Sequence, residues 1–301
     1  MSVNAKAMTL ALTTILIWGS TFAAIRASLH GGYTAGHLVL VRYLVASAVF
    51  LLLALWPGIR FRIPRKEDLL KICLLGWTGI SLYHIGVTFG EKTVSAGTAG
   101  MLIGSAPIFT ALIAVLFLRE RLGLPGWLGL SVGFTGIILI TVGSSGEAFA
   151  ISEGALLVLM AAVATSVFFV FQKPLFARYR PLELTAYFTW VGTLPFLFFS
   201  PGVWDSVAGA TLEANLSALY VGIFPAGVAY VTWATALSLG NASSVSSTMY
   251  LEPVVAIFVA WMWLQEWPST LSLIGGGVAI LGVVVVNGLG RKKEMPLRKT
   301  A

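Results

Sequence analysis

Apolar residues in this chain neither alternate nor keep to one helical face. They fill ten long stretches on every side, parted by short polar breaks. The stretches are Ala7–Ser28, Thr34–Leu55, Leu69–Phe89, Val94–Leu118, Pro125–Val142, Gly154–Gln172, Leu182–Phe199, Leu216–Leu239, Ala242–Leu264 and Thr270–Leu289. A helix rises about 1.5 Å per residue, so roughly 20 residues cross a hydrocarbon core of about 30 Å, and each stretch comes close to that. A membrane barrel would instead show runs of about ten residues alternating apolar with polar. The pattern predicts ten transmembrane helices. Leu182–Phe199, short and carrying Pro195, is the least regular of them.

The pattern also repeats. Displacing Thr98–Gly136 by 146 positions lays it on Ser244–Gly282, so that Pro107 meets Pro253, Glu120 meets Glu266, Gly129 meets Gly275 and Gly136 meets Gly282. The same displacement carries Ser20 onto Ser166 and Phe22 onto Phe168. The second span fits at 144, where Tyr43 meets Tyr187 and Pro57-Gly58 meets Pro201-Gly202. One offset over so much of the chain argues for duplication. The expected units are residues 1–145 and 146–301. Each holds five helices, an odd number, so the second copy enters the membrane from the opposite side. Repeats inverted in this way supply two packings of similar energy around a midplane site. The expected fold class is therefore an all-α integral membrane protein, with ten transmembrane helices in two inverted five-helix repeats around a central cavity.

Composition agrees: 57% of residues are hydrophobic and 10% charged, against about 25% charged in a soluble domain. Mean hydropathy is +0.90. The net charge of +7 does not point to nucleic acid, because its sources are short loops and the C-terminus. Lys6, Arg60, Arg62, Arg65, Lys66, Lys71, Arg119, Arg121, Lys173, Arg178, Arg180, Arg291, Lys292, Lys293, Arg298 and Lys299 fall on one side of a ten-span topology, and only Lys92 on the other. Positive charge stays cytoplasmic, so both termini are expected there. The first stretch, long and lacking a clear small-residue cleavage site, reads as an uncleaved span. The lone Cys73 excludes an intrachain disulfide and a cysteine metal cage.

WGSTF in the first span, together with the paired Pro…LxE hairpins at Pro107–Glu120 and Pro253–Glu266, resembles the EamA-type branch of the drug/metabolite transporter superfamily over nearly the whole chain. Within it, the likeness is greatest to exporters of aromatic amino acids in bacterial inner membranes. The resemblance implies export of amino acids or related metabolites through a central cavity lined by both halves. The partners implied are a small-molecule substrate and the lipid bilayer, with monomer and homodimer both open.

Polar groups inside spans are expensive, and so are functional candidates. Glu252 stands in the middle of the ninth span before Pro253, where the first repeat has Ala106. At about 100° per residue, Ser244, Ser247, Thr248, Leu251 and Glu252 share a stripe ending at the carboxylate. It suits a substrate ammonium or a coupling proton; its bland alternative is a carboxyl capping backbone loosened by the proline. Thr98, Met101, Leu102 and Ser105 make the matching face of the fourth span. Ser81, His84 and Thr88 share a face of the third, beside Tyr83. Trp18 and Thr21, Phe168, Phe169 and Gln172, and Tyr230 with Trp233 would add an aromatic lining. Each alone reads first as packing or lipid contact; several converging at one depth would read as a lining. Arg26, His37 and Arg42 read as snorkelling or paired groups, and Arg119, Glu120 and Glu266 as structural or gate-forming helix ends. Gly126, Gly129, Gly133, Gly136, Gly275, Ala279 and Gly282 allow close helix approach.

No P-loop, HExxH or other metal spacing is present, and GSSG at Gly143 lacks the strand–turn–helix context of a nucleophile. No cofactor is called for, and no metal. The expected activity is secondary transport, exporting neutral and especially aromatic amino acids. The rivals are import or carriage of another metabolite and, more remotely, a membrane-embedded enzyme or a channel.

Overall fold

The computed structural model describes residues 5–59, 61–118, 122–144, 152–239, 245 and 248–288; Arg119, Glu120 and the basic C-terminal tail lie outside them. The described chain is helical throughout, with no strand. Eight helical segments are long and apolar enough to cross a membrane: Ala5–His30, Ala35–Leu55, Lys66–Gly90, Ala96–Phe117, Leu124–Gly143, Glu153–Ala177, Pro181–Phe199 and Leu212–Trp233. Two shorter apolar segments, Thr248–Leu264 and Thr270–Val286, follow. They are the first to tenth spans below.

Contacts between loops show that the spans alternate in direction. At one end the turn after the first span meets the start of the eighth, where Thr211 N–H donates to the Gly31 carbonyl at 2.9 Å. Arg26 there reaches Glu266 between the ninth and tenth spans, and Ser269 and Ser272 pack against Gly143. At the other end the basic loops meet: Asp68 accepts from Arg178 Nη1 and Tyr179 Oη, both at 2.8 Å. Local chemistry follows the same division. Each even-numbered span starts at the first end with a hydroxyl cap: Thr34, Ser95, Ser152, Thr211 and Ser269 accept from the backbone N–H groups of His37, Thr98, Ala155, Ala214 and Ser272. Such caps satisfy amides that a helix start leaves free, each contributing about 1 kcal/mol. The fifth and seventh spans start at the basic end with Pro125 and Pro181, whose missing N–H costs nothing there.

The halves interleave. The first span packs against the eighth and ninth, while the sixth packs against the third and fourth. The fifth and tenth spans form a separate pair built on glycine. A Cβ on Gly129 would meet Val286, one on Gly136 would meet Ala279, and one on Gly275 would meet Ile140. The indices run oppositely, so these helices are antiparallel with backbones in contact, as small residues permit in lipid.

Among the described residues, four of these segments are interrupted by a change of helix type or a break. The third contains a π-helical stretch, Trp77–Leu82, and the eighth another, Phe224–Val228. The fourth breaks at Ser105, before Pro107, into Ala96–Gly104 and Ala106–Leu118. The ninth changes from the 3-10 turn Thr248–Leu251 to the α-helix Glu252–Leu264 around Pro253. The prolines lack an N–H and crowd the preceding turn, which explains three of the four; the third span instead has Gly79, seated on the Phe168 ring. The seventh span tightens to a 3-10 turn, Leu194–Phe199, at Pro195, the irregularity its sequence foreshadows.

The glycine seam makes a direct prediction. Gly136→Val places methyl groups into the Ala279 backbone and should destabilise the protein by about 1–3 kcal/mol or more. Gly277→Ala, where a Cβ meets nothing within 4 Å, should be neutral. Thermal unfolding of the detergent-solubilised variants checks both.

Candidate functional site

The π-turns of the third and eighth spans each end next to the aromatic residues singled out by sequence. In the third, the N–H of Tyr83 closes the π-loop on the Thr78 carbonyl; the next residue is His84. In the eighth, Ala229 and Tyr230 follow at once. Trp18 of the first span ties into the second break, its indole Nε1 donating to the Pro225 carbonyl at 3.3 Å. Its ring lies 5.7 Å from Tyr230, edge-on, and 5.5 Å from Trp233. Across from this trio a second group forms: His84 stands between Tyr83 at 4.4 Å and Tyr43 at 4.7 Å.

Charge joins the two groups. Tyr83 and Tyr230 each lie within electrostatic reach of both Arg42 and Glu252, and of one another. Arg42 belongs to the second span and Glu252 to the ninth, so one cation and one carboxylate from different halves act on the same phenol hydroxyls. Glu252 opens the α-helix of the ninth span, where the positive end of the helix dipole favours a carboxylate. Arg42 does not snorkel. It is 3% exposed, its Nε and Nη1 make no hydrogen bond, and its guanidinium lies 5.6 Å from the Tyr43 ring centroid. Guanidinium cannot discharge itself by losing a proton, so Arg42 keeps its charge here with two of its nitrogens unbonded.

The remaining sequence candidates divide by their partners. Thr21, buried, donates to the Ile17 carbonyl one turn back. Thr248 donates to the Val245 carbonyl at the start of the ninth span. Thr98 exchanges a hydrogen bond with the Ser95 cap at 2.9 Å. Met101 lies on Gly276 of the tenth span. Phe168 is packed between Gly79 and Phe188, 5.0 Å from the latter ring. Gln172 ends the sixth helix, partly exposed. Ser244 lies outside the described residues. Trp18, Tyr83, His84, Tyr230, Trp233 and Glu252 are thus the group that the structure draws toward one centre. Of the lesser candidates, His37 bonds the Pro201 carbonyl through Nε2, and Glu266 is held by Arg26.

A second polar locality lies at the end opposite the basic loops, and sequence reasoning missed its main member. Glu91, just past the third span, is fully buried, and neither carboxylate oxygen has a hydrogen-bond partner. Beside Lys92 in a short loop it reads from sequence as a solvated helix end. The available signal was Arg26, a charge inside the first span that had to find something. Arg26 spans this locality: Nε holds Glu266 Oε1 at 2.9 Å, while Nη1 donates to the main-chain carbonyl of Glu91. A recess of about 290 Å³ opens above it, lined by Arg26, Leu29, His30, Tyr33, Thr34, Ala35 and Lys92.

Comparison with known proteins gives this geometry a family. The profile described as the EamA-like transporter family matches twice, over residues 5–142 and 152–288. An uncharacterized transporter of Bacillus subtilis, YdfC, is 39% identical over 267 residues, 89% of this chain and 86% of its own. A probable terminal-alkyne amino-acid exporter of Streptantibioticus cattleyicolor is 39% identical over 291 residues, 96% of each chain. A crystal structure superposes with a TM-score of 0.64 over 93% of this chain and 95% of its own, at 23% identity, a likeness of fold alone.

Phe168 separates packing from site. Phe168→Ala should destabilise the protein by about 3–5 kcal/mol, because it empties the space over Gly79, whereas Trp18→Phe keeps the ring stack and should cost far less. Melting temperatures in detergent measure the difference.

Proposed function

Because the chain belongs to the EamA-like transporter family, and is a transporter rather than an enzyme, we propose that it exports amino acids with neutral side chains, aromatic and other apolar ones, by alternating access. The observation that carries the reading is that buried Arg42 and Glu252, from different halves, both lie within electrostatic reach of Tyr83 and Tyr230. An amino acid is a carboxylate and an ammonium one carbon apart, with a variable tail. Arg42 receives the carboxylate, Glu252 the ammonium, and Trp18, Tyr230 and Trp233 accept the tail. His84 and Tyr83 orient the head group. A head group recognised by charge and a tail by aromatic surface suits the class named in the Streptantibioticus relative, an amino acid with an apolar tail.

Alternation follows from symmetry. In this reading residues 1–145 and 146–301 are inverted repeats of five helices. Support comes from the two family matches, from breaks at equivalent depths in the third and eighth and in the fourth and ninth spans, and from the fifth–tenth seam. There the contact of Gly129 with Val286 becomes that of Gly275 with Ile140 when the halves exchange roles. The basic loops face the cytoplasm with both termini, in a bacterial inner membrane.

The test is counterflow in proteoliposomes with labelled phenylalanine, leucine and propargylglycine; accumulation of none of them sinks the amino-acid reading. The assignment of ends has its own check. A charged hydrogen bond contributes about 1.5–3 kcal/mol, so Arg42→Gln should raise the half-saturating concentration roughly tenfold or more and abolish the preference for an amino acid over its amide. Glu252→Gln should instead abolish the preference over the N-acetyl derivative.

A further inference from the structure

Arg42 and Glu252 receive the solute in the reading above, but Glu91 has no part in it. Glu91 is nevertheless the most isolated acid among the described residues: fully buried, with both carboxylate oxygens unpartnered. Burying an ionised carboxylate without partners costs several kcal/mol, and in such a place the neutral acid prevails. The surroundings leave one alternative. Of the charged groups facing Glu91, Arg26 comes from the first span, Arg42 from the second and Glu266 from the turn between the ninth and tenth. Its neighbour Lys92 is exposed, as is Glu153 at the head of the adjoining sixth span. Arg26 is the nearest cation by contact, yet it spends its Nη1 on the Glu91 carbonyl and its Nε on the Glu266 carboxylate. Two carboxylates therefore stand within reach of one guanidinium, and Glu266 holds it.

That ion pair joins the halves. Arg26 is in the first, Glu266 in the second, and the other Glu266 oxygen accepts the backbone N–H of Ala96 at the head of the fourth span, at 3.3 Å. Its side chains are 15% and 19% exposed, and the recess lined by Arg26, His30 and Lys92 opens beside it. On the inward side the third span continues with Thr88 and His84, four and three residues apart from one another and from Glu91, hence on one helix face. Thr88 Oγ1 and His84 Nδ1 are also buried and unpartnered. The row of free polar atoms runs from Glu91 to the Tyr83–Arg42 cluster.

We propose that Glu91 is a proton-binding site that couples transport to proton movement, by deciding which carboxylate holds Arg26. With the proton on Glu91, the acid is neutral, Arg26 stays on Glu266 as it does in this structure, and the end opposite the basic loops is held shut. When the carboxyl gives its proton to water, the new carboxylate competes for Arg26, which already touches its main chain. Glu266 then loses its cation and the two halves part at that end. The sign follows from the environment: burial pushes the Glu91 carboxyl well above the usual carboxylate range, with Arg26 and Arg42 pulling it back and Glu266 adding to the rise. The shut form is favoured below the folded-state pKa and is lost as pH rises through it. The inference rests on the alternating-access reading but not on the identity of the solute.

The experiment uses the full chain in liposomes, with spin labels at His30→Cys and Trp267→Cys in a Cys73→Ser background. The first substitution also removes the recess's own imidazole. Distances between the labels, measured from pH 5 to pH 9, should show one short population at acid pH and a growing longer one at alkaline pH. Glu91→Gln, which mimics the protonated acid, should stay short throughout, Glu91→Asp should restore the response, and Glu266→Gln should populate the long distance even at acid pH. In transport, Glu91→Gln should keep phenylalanine counterflow at equal pH and lose accumulation driven by a pH gradient. A wild-type distance indifferent to pH, or a Glu91→Gln variant that titrates as wild type does, overturns the proposal. Because the distance measurement needs no solute, absent counterflow in the wild type counts against the amino-acid reading and leaves the proton site standing on its own data.

Discussion

A helix broken in the middle of a bilayer exposes amide and carbonyl groups that lipid cannot satisfy. Each break must therefore be turned inward and met by another part of the protein. This chain breaks four helices, and the way it satisfies them shapes the rest. The carbonyl of Pro225 in the eighth span takes the indole of Trp18. The carbonyl of Ala106 at the break in the fourth span takes the hydroxyl of Ser166, at 2.9 Å. Ser81 in the π-turn of the third donates to the Gly192 carbonyl of the seventh at 2.7 Å. Such bonds draw the irregular segments together, and the polar side chains beside them come along.

The electrostatics follow the same economy. Membrane interiors tolerate few charges, so those present must answer to one another or to something that arrives. At the basic end Arg178 meets Glu67 and Asp68, and at the other end Arg26 meets Glu266. Between these ends Arg42 is buried with Nε and Nη1 unbonded, and at the second end Glu91 is buried with both carboxylate oxygens unpartnered. Ion pairs tie the helices at both ends, while the charge between them is left with donors unanswered.

The architecture was legible in sequence because hydrophobic length and loop charge are one-dimensional properties. The helical segments, the irregular seventh span at Pro195 and the family were all readable from runs of residues, and Glu252 beside Pro253 stood out for the same reason. The π-turns were not. Trp77–Leu82 carries no proline, and a stretch with one extra residue per turn has no pattern of its own. The burial of Arg42 and Glu91 was hidden for a related reason: a charge near a helix end looks the same on paper whether it reaches water or turns inward. Arg42 reads there as a snorkelling or paired group, and Glu91 does not stand out at all. Phe168 illustrates the converse, an aromatic residue whose placement over Gly79 depends on a glycine almost ninety positions away.

The antiparallel seam of the fifth and tenth spans has a mechanical meaning. Where Gly129, Gly133, Gly136, Gly275 and Gly282 meet the facing helix, backbone lies against backbone and leaves little room to slide. A joint of that kind resists translation and tolerates only small rotation about its line of contact. It gives the molecule a keel, a rigid line along which the two ends of the pair stay in register.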